Sequence, residues 1–181
     1  GSVVIGTKSY ESEEWQKVED ICFEKGIDVK EFDRGKSITL EKGLTMTSLH
    51  PGSEIMKNTN DDANNNSEVL LLEYKDFEVL LTGDIEAEAE KEIMAKSNKV
   101  DIDVLKVGHH GSKTSSSEEF IDYFSPEIAV IQVGKNFYGH PHDETLDKLN
   151  ERGIKTYRND ENGAVIIETD GVDIDVKTMI Q

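Results

Sequence analysis

Asp84 closes an apolar run, Leu80-Leu81-Thr82-Gly83-Asp84, and a second apolar run delivers Val107-Gly108-His109-His110-Gly111-Ser112. A third, Ile128 to Val133, precedes Tyr138-Gly139-His140-Pro141-His142. A carboxylate and imidazoles held at strand ends are donors that suit Zn²⁺ or Mn²⁺, and a carboxylate can bridge two ions. The chemistry they point to is metal-dependent hydrolysis. In an open α/β sheet, ligands gather outside the carboxyl ends of strands. Asp84, one of His109 or His110, and His140 are therefore expected to meet there. Of the five histidines, His50 stands apart and reads as a turn or capping residue. His142 reads either way.

Two neighbouring segments have open readings. Gly111-Ser112-Lys113-Thr114-Ser115-Ser116-Ser117 is a polar loop whose last serine caps a helix beginning at Glu118. The same free N–H groups, hydroxyls and Lys113 would also make a phosphate pocket. Lys135-Asn136-Phe137-Tyr138 offers a donor and an aromatic face beside His140, or its rings simply pack.

The elements that must position these residues follow from hydrophobic spacing. Val3-Val4-Ile5 reads as a strand, and Ser9 to Lys25 as a helix through Trp15, Val18, Ile21 and Cys22, stopped by Gly26. Ile27 to Phe32, Ser37 to Leu40 and Leu44 to Leu49 are short strands broken by glycine turns. Asn58 to Asn66 reads as a loop, flexible on residue type alone. Val69 to Tyr74 and Phe77 to Thr82 form a hairpin across Lys75-Asp76. Then come helix Ile85 to Ala95, strand Val104 to Val107, helix Glu118 to Phe124, strand Ile128 to Val133, helix Asp143 to Arg152 and strand Lys155 to Tyr157. A hairpin, Ala164 to Glu168 and Val172 to Lys177, ends the series with Asp170-Gly171 at its turn. Alternating strands and helices with antiparallel hairpins predict one α/β layered domain over residues 1–181 with a mixed sheet.

Composition sets limits. The 181 residues carry a formal charge of −18, from 38 acids against 20 bases. A field of that sign disfavours wholesale binding of nucleic acid or anionic lipid unless metal and a local basic patch reverse it. The single cysteine, Cys22, excludes an intrachain disulfide and a thiolate-rich zinc site, and its helical setting marks it as a small core residue. No apolar stretch approaches the ~20 residues of a membrane span. Gly1-Ser2 reads as a cloning scar.

Thr82-Gly83-Asp84, His109-His110-Gly111-Ser112 and Asn136-Phe137-Tyr138-Gly139-His140-Pro141 resemble the metallo-β-lactamase superfamily. Within it they are similar to the branch fused or related to ComEC-type competence (DNA-uptake) proteins. Leu49-His50-Pro51, Asn64-Asn65-Asn66-Ser67 and Tyr157-Arg158-Asn159-Asp160-Glu161-Asn162-Gly163 match that branch in order and spacing. The resemblance implies a four-layer αβ/βα sandwich with a two-metal site, Zn or Mn, on one edge. Asp84 is the implied bridging carboxylate, and His109 or His110 a ligand of the second metal. Strand alternation through Leu105 and Val107 favours His109. His140 is implied to face the scissile phosphate as donor or general acid, so Asp84 and His140 are the expected catalytic pair. Ser112, Lys113, Asn136, Tyr138 and Asn65 are the expected substrate-binding residues. Metal coordination brings water's pKa near neutrality and supplies the nucleophile. An extracytoplasmic or membrane-associated parent is also implied.

Two departures refine this. The His-x-(His or Asp)-x-Asp-His cluster of the family is absent from residues 1–181, so this chain is expected to be an N-terminally truncated, C-terminal part of the domain. Asn64-Asn65-Asn66 stands where many members carry a lone histidine, which is the habit of the competence branch. The leading expectation is a phosphodiesterase, specifically a nuclease linked to DNA uptake, holding a partial metal site or none in this piece, which alone is not an efficient catalyst. An exposed face is expected to be covered by a homodimer or by the missing N-terminal fragment. The alternatives are an esterase of small phosphodiesters of phosphorylcholine type, and a non-catalytic binding module with a relic site.

Overall fold

The computed structural model describes residues 1–7 and 12–180. Its centre is a seven-stranded mixed sheet in sequential order: β3 (Ser37–Glu41), β4 (Leu44–His50), β5 (Val69–Tyr74), β6 (Phe77–Leu81), β7 (Val104–Lys106), β8 (Ile128–Ile131) and β9 (Lys155–Arg158). β3 to β6 pair antiparallel and β6 to β9 parallel. The change has a local cause. Lys75 takes a left-handed φ of 58° and closes a tight hairpin between β5 and β6. The later strands are instead separated by helices α2 (Ala87–Lys96), α3 (Glu118–Phe124) and α4 (Asp143–Glu151), and a helical crossover returns the chain in the same direction. Leu81 pairs with Lys106 and Lys106 with Val130, so β6, β7 and β8 end level with one another.

The helices cover one face of the sheet. Val69, Leu71, Leu80, Leu105, Ala129 and Ile131 point into a core shared with Ala89 and Ile93 of α2, Phe120, Ile121 and Phe124 of α3, and Leu149 of α4. On the other face, Phe77, Val104 and Ile128 meet Ile167, Ile174 and Val176 of the hairpin β10 (Val165–Thr169) and β11 (Ile174–Thr178). A separate parallel pair, β1 (Ser2–Ile5) and β2 (Asp28–Glu31), brackets helix α1 (Glu13–Glu24). Among the described residues, the implied sandwich is thus represented by one large sheet, its helical layer, and these two smaller units.

The strands and helices read from the sequence are present, with ends moved by a few residues. The N-terminal helix starts at Glu13, capped by the Ser12 hydroxyl accepting from Trp15 N–H; Ser9 to Glu11 of the expected helix lie outside the described residues. Cys22 is buried, as its spacing implied. A short helix α5 (Asn159–Asn162) was not foreseen; Asn162 turns its side chain back to accept from Arg158 N–H at 2.9 Å. The flexible Asn58 to Asn66 loop is corrected. Asn64–Asn66 is a 3₁₀ turn with Asn65 and Asn66 buried, and Asn66 Nδ2 donates to the carbonyls of Met56 and Asp62. Asparagine can serve as internal scaffold as readily as it serves turns. No helix among the described residues is long and apolar enough to cross a membrane.

Glu68 immediately precedes β5, and both its carboxyl oxygens are buried, with Gly6 packed against them. Burial pushes the carboxyl up to about 7, Asp33 adds to the rise, and the Ser48 hydroxyl opposes it. A carboxyl raised in the folded state stabilises fully below its unfolded pKa and loses that contribution as pH rises through about 7. Glu68→Gln is therefore expected to change stability little below pH 5. Its advantage over the wild type should grow up to about pH 7 and level off above, as read from paired thermal melts across the range.

Candidate metal centre

The carboxyl ends of β6, β7 and β8 each feed one sharp turn of the site. After β6, Gly83 adopts φ 56°, and a Cβ there would lie 2.6 Å from Ser67 Cβ, so only glycine lets the chain turn against β5. Ser67 Oγ then accepts from Asp84 N–H at 3.2 Å and fixes the acid at the sheet edge. Asp84 lies between two nitrogens. His110 Nε2 is 3.5 Å from its Oδ2, and Lys106 Nζ is 3.9 Å from its Oδ1. Lys106 is mostly buried and donates to the Gly83 carbonyl at 2.9 Å; burial lowers its pKa and Asp84 opposes that.

After β7 the chain forms a tight turn, Gly108–Gly111, in which His109 and His110 are both left-handed, at φ 45° and 55°. Two consecutive non-glycine residues in that region cost on the order of 1 kcal/mol or more each. Hydrogen bonds hold them: His109 N–H donates to Gly83 O at 3.3 Å, and Ser115 Oγ to Gly108 O at 2.8 Å. Strand alternation ends at Lys106, so the sidedness that favours His109 has no strand to act through. The surroundings separate the two rings. His110 Nδ1 lies 2.6 Å from the Gln132 carbonyl, which can only accept, so Nδ1 carries a proton and Nε2 is the nitrogen that faces Asp84. His109 Nδ1 is 3.3 Å from Glu86 Oε1, buried and without a well-directed bond.

After β8, the loop to α4 brings His140 beside His109, with ring centroids 5.4 Å apart, and His142 beside His140 at 5.0 Å. Burial, then the neighbouring histidines, lowers the His140 pKa, so the ring is neutral at pH 7 and donates or accepts as an imidazole. Gly111, at φ 82°, allows this loop to close on the turn after β7; a Cβ there would lie 2.6 Å from Pro141 Cβ. The His142 N–H completes the join to Gly111 O at 2.9 Å.

The structure brings Asp84, His109, His110 and His140 to one edge and leaves other expected residues differently placed. Asn65 is fully buried, and its polar atoms serve the fold. Oδ1 accepts from Glu86 and Ala89 N–H at the start of α2, Nδ2 donates to Glu88, and the carbonyl bonds His50 Nε2 at 2.7 Å. Asn136 Nδ2 donates to Gly134 O and His140 O, while Oδ1 accepts from Tyr138 and His140 N–H. Ser112 is buried and bonded to Thr114, so it faces the loop and not a ligand. Of the expected phosphate pocket, the N–H groups of Ser116 and Ser117 just ahead of α3 are taken, because the Glu90 carboxyl accepts from both. Lys113 is exposed, and Tyr138 stacks obliquely on His140 at 5.8 Å. His50 is buried and structural.

Glu86, Lys106 and Glu90 were missed. Lys106 had a signal, a lysine inside the apolar run Val104-Leu105-Lys106-Val107. Glu86 and Glu90 looked like ordinary charges of an acidic helix.

The donor types suit a divalent ion, and the buried orphan nitrogens His109 Nδ1 and His142 Nδ1 show imidazoles whose partners are incomplete. Among the described residues, however, no three His, Cys, Asp or Glu side chains gather around one point as a metal requires. Asp84 and His110 stand side by side, and the described residues do not complete a coordination shell around them.

No family model matches the chain. It is 40% identical over 153 residues to ComE operon protein 3 of Bacillus subtilis, covering 83% of this chain and 19% of that protein. It is 38% identical over 108 residues to competence protein ComA of Neisseria gonorrhoeae, covering 59% and 16%. The chain thus spans about a fifth of the length of these relatives. A solved structure described as a metal-dependent hydrolase, from Parabacteroides distasonis, aligns with a TM-score of 0.52 at 16% identity, over 86% of this chain and 74% of that one. At that identity the likeness concerns the fold. The resemblance to competence proteins read from the sequence is met by these relatives, and the solved structure agrees with the expected fold.

Because Asn65 satisfies buried donors of α2, Asn65→Ala is expected to lower stability by about 1–3 kcal/mol, the cost of stranding buried N–H groups. Urea unfolding measures it. Full stability with lost substrate affinity would instead restore Asn65 to the substrate side.

Proposed function

We propose that this chain is part of a metal-dependent phosphodiesterase, a nuclease linked to DNA uptake. The observation that carries the reading is the pairing of Asp84 with His110 Nε2, 3.5 Å apart at the common end of parallel strands. Likeness to competence proteins supports DNA as the substrate. Asp84 and His110 would hold one side of a pair of divalent ions, Zn or Mn, with His109 as the further nitrogen donor. Such ions supply charge neutralisation at a phosphodiester and activate water. The remaining ligands would come from sequence outside these residues, as the far greater length of the relatives permits.

The chain's own groups have definable tasks. Lys106 and the Ser67 hydroxyl hold Asp84 in place, and Gln132 sets the His110 tautomer. Glu86, anchored by the Thr114 hydroxyl at 2.7 Å, restrains His109. His140, neutral at pH 7, offers an N–H to a phosphate oxygen or to a leaving group.

The test pairs two proteins. The full-length gene product is expected to bind two Mn²⁺ or Zn²⁺ and to cut a single-stranded oligonucleotide, with at least ~10²-fold loss in Asp84→Ala. The 181-residue chain alone is expected to show no efficient cleavage. A metal-free, inactive full-length product would sink the reading, and a monomeric, active 181-residue chain would sink the claim that ligands are missing.

A further inference from the structure

Beside this edge, the loop between β8 and α4 carries two largely exposed aromatic rings, Phe137 and Tyr138, the second touching only His140 among aromatic neighbours. Phe137 is 99% exposed and Tyr138 79% exposed. The open alternative that these rings pack into the fold is therefore settled against. The loop beneath them is tied down. Through its four hydrogen bonds, at 2.8 to 3.1 Å, Asn136 links Gly134, Tyr138 and His140, so the tip is presented on a fixed base. Tyr138 and His140 lie with centroids 5.8 Å apart and planes 31° apart, so the free face of Tyr138 continues a short column of rings. Behind it opens a cleft of about 340 Å³ lined by His110, Gln132, Lys135 and His140.

At the loop tip, one cleft joins the Tyr138 ring, Lys135 and the histidine next to Asp84, with Phe137 bare beside it.

We propose that Phe137 and Tyr138 form a base-stacking subsite that admits single-stranded nucleic acid, with Lys135 meeting its backbone and the strand leading its phosphodiester to His140 and Asp84. The inference rests on the phosphodiesterase reading above and names its substrate. Unpaired bases are required, because a ring can receive a base face only when that base is out of its duplex stack. A small phosphodiester would fill the cleft against Tyr138 and leave Phe137 in water. The charge of −18 fits this division of labour. Phosphate attraction cannot supply much affinity on so acidic a chain, whereas stacking is insensitive to net charge, so salt should weaken binding only slightly.

The experiment measures fluorescence anisotropy of the 181-residue chain with Mn²⁺ and a nuclease-resistant phosphorothioate 12-mer of thymidine, against an abasic 12-mer of the same backbone. The thymidine strand is expected to bind at least tenfold more tightly, with a shallow salt dependence. Phe137→Ala/Tyr138→Ala should lose at least tenfold toward thymidine and fall to the abasic level; stacking of one base accounts for roughly this factor. Since both rings are exposed, a melt verifies that the variant is folded. Equal binding of both strands by the wild type, or undiminished binding by the variant, overturns the subsite. Self-association through the tip, lost in the variant and indifferent to either strand, overturns it too and assigns the rings to protein contact. The two readings fail separately. Base preference without cleavage by the metal-loaded full-length product leaves the subsite and removes the phosphodiesterase. Cleavage with no base preference does the reverse.

Discussion

Level endings of β6, β7 and β8 are the constraint on which everything at the site depends. Parallel pairing of Leu81 with Lys106 and of Lys106 with Val130 puts three chain reversals at one edge. Each reversal must turn within a few residues and must bond its backbone groups where water cannot reach them. Gly83 and Gly111 meet the first demand, since a side chain at either would enter a neighbour. The second is met by side chains sent in from elsewhere: Ser67 to Asp84, Asn65 to the start of α2, Glu90 to Ser116 and Ser117. The imidazoles and the carboxylate come together because the reversals leave them little freedom.

Glu90 shows how high the electrostatic stakes are. Its carboxylate is 1% exposed, and burial raises its pKa, while the amides of Ser116 and Ser117 and the Lys148 ammonium pull the other way. Lys148 in turn donates to the carbonyls of Ser115 and Ser116 at 3.3 and 2.8 Å. A buried acid is tolerated where its lone pairs are met, and removing it would strand two amides at once. The serine-rich loop is thus a rigid floor under His109 and His110. Its composition resembles a phosphate cradle because the physics is shared: N–H groups just ahead of a helix meet acceptor oxygens, and here those oxygens belong to Glu90 of α2.

The element series and the converging residue types were legible, since both depend on local patterns. Apolar runs ending in Asp84, His109-His110 and His140 announced strand ends, and strand ends in parallel sheets share an edge. What was not legible was which polar groups were already engaged. Asn65 and Asn136 have the residue type of ligand contacts, yet their partners lie in backbone brought near by folding: α2 for the one, the loop's own reversal for the other. Likewise the choice between His109 and His110 turned on the Gln132 carbonyl, twenty-two residues along the chain and adjacent only through the pairing of β7 with β8. The alternation rule has no strand to act on past Lys106, where β7 stops.

Taken together, the engaged groups define what is left over. With the Ser116 and Ser117 amides, Asn65, Asn136 and Ser112 committed, fewer neutral donors of the scaffold remain to grip a substrate. Features left facing outward are His110 Nε2 beside Asp84, the His140 ring, Lys135, and the bare faces of Phe137 and Tyr138. Exposed aromatic rings gain nothing for folding: burying a ring is worth roughly 25 cal/mol per Å², and these two forgo it. A fold that ties down every polar group of this loop and leaves its rings in solvent has separated structure from recognition along a chemical line. Polar chemistry is spent on holding the edge rigid, and what faces outward is an acid, imidazoles and π surfaces. A ligand matched to that remainder carries an anionic ester for the first two and unpaired flat rings for the third.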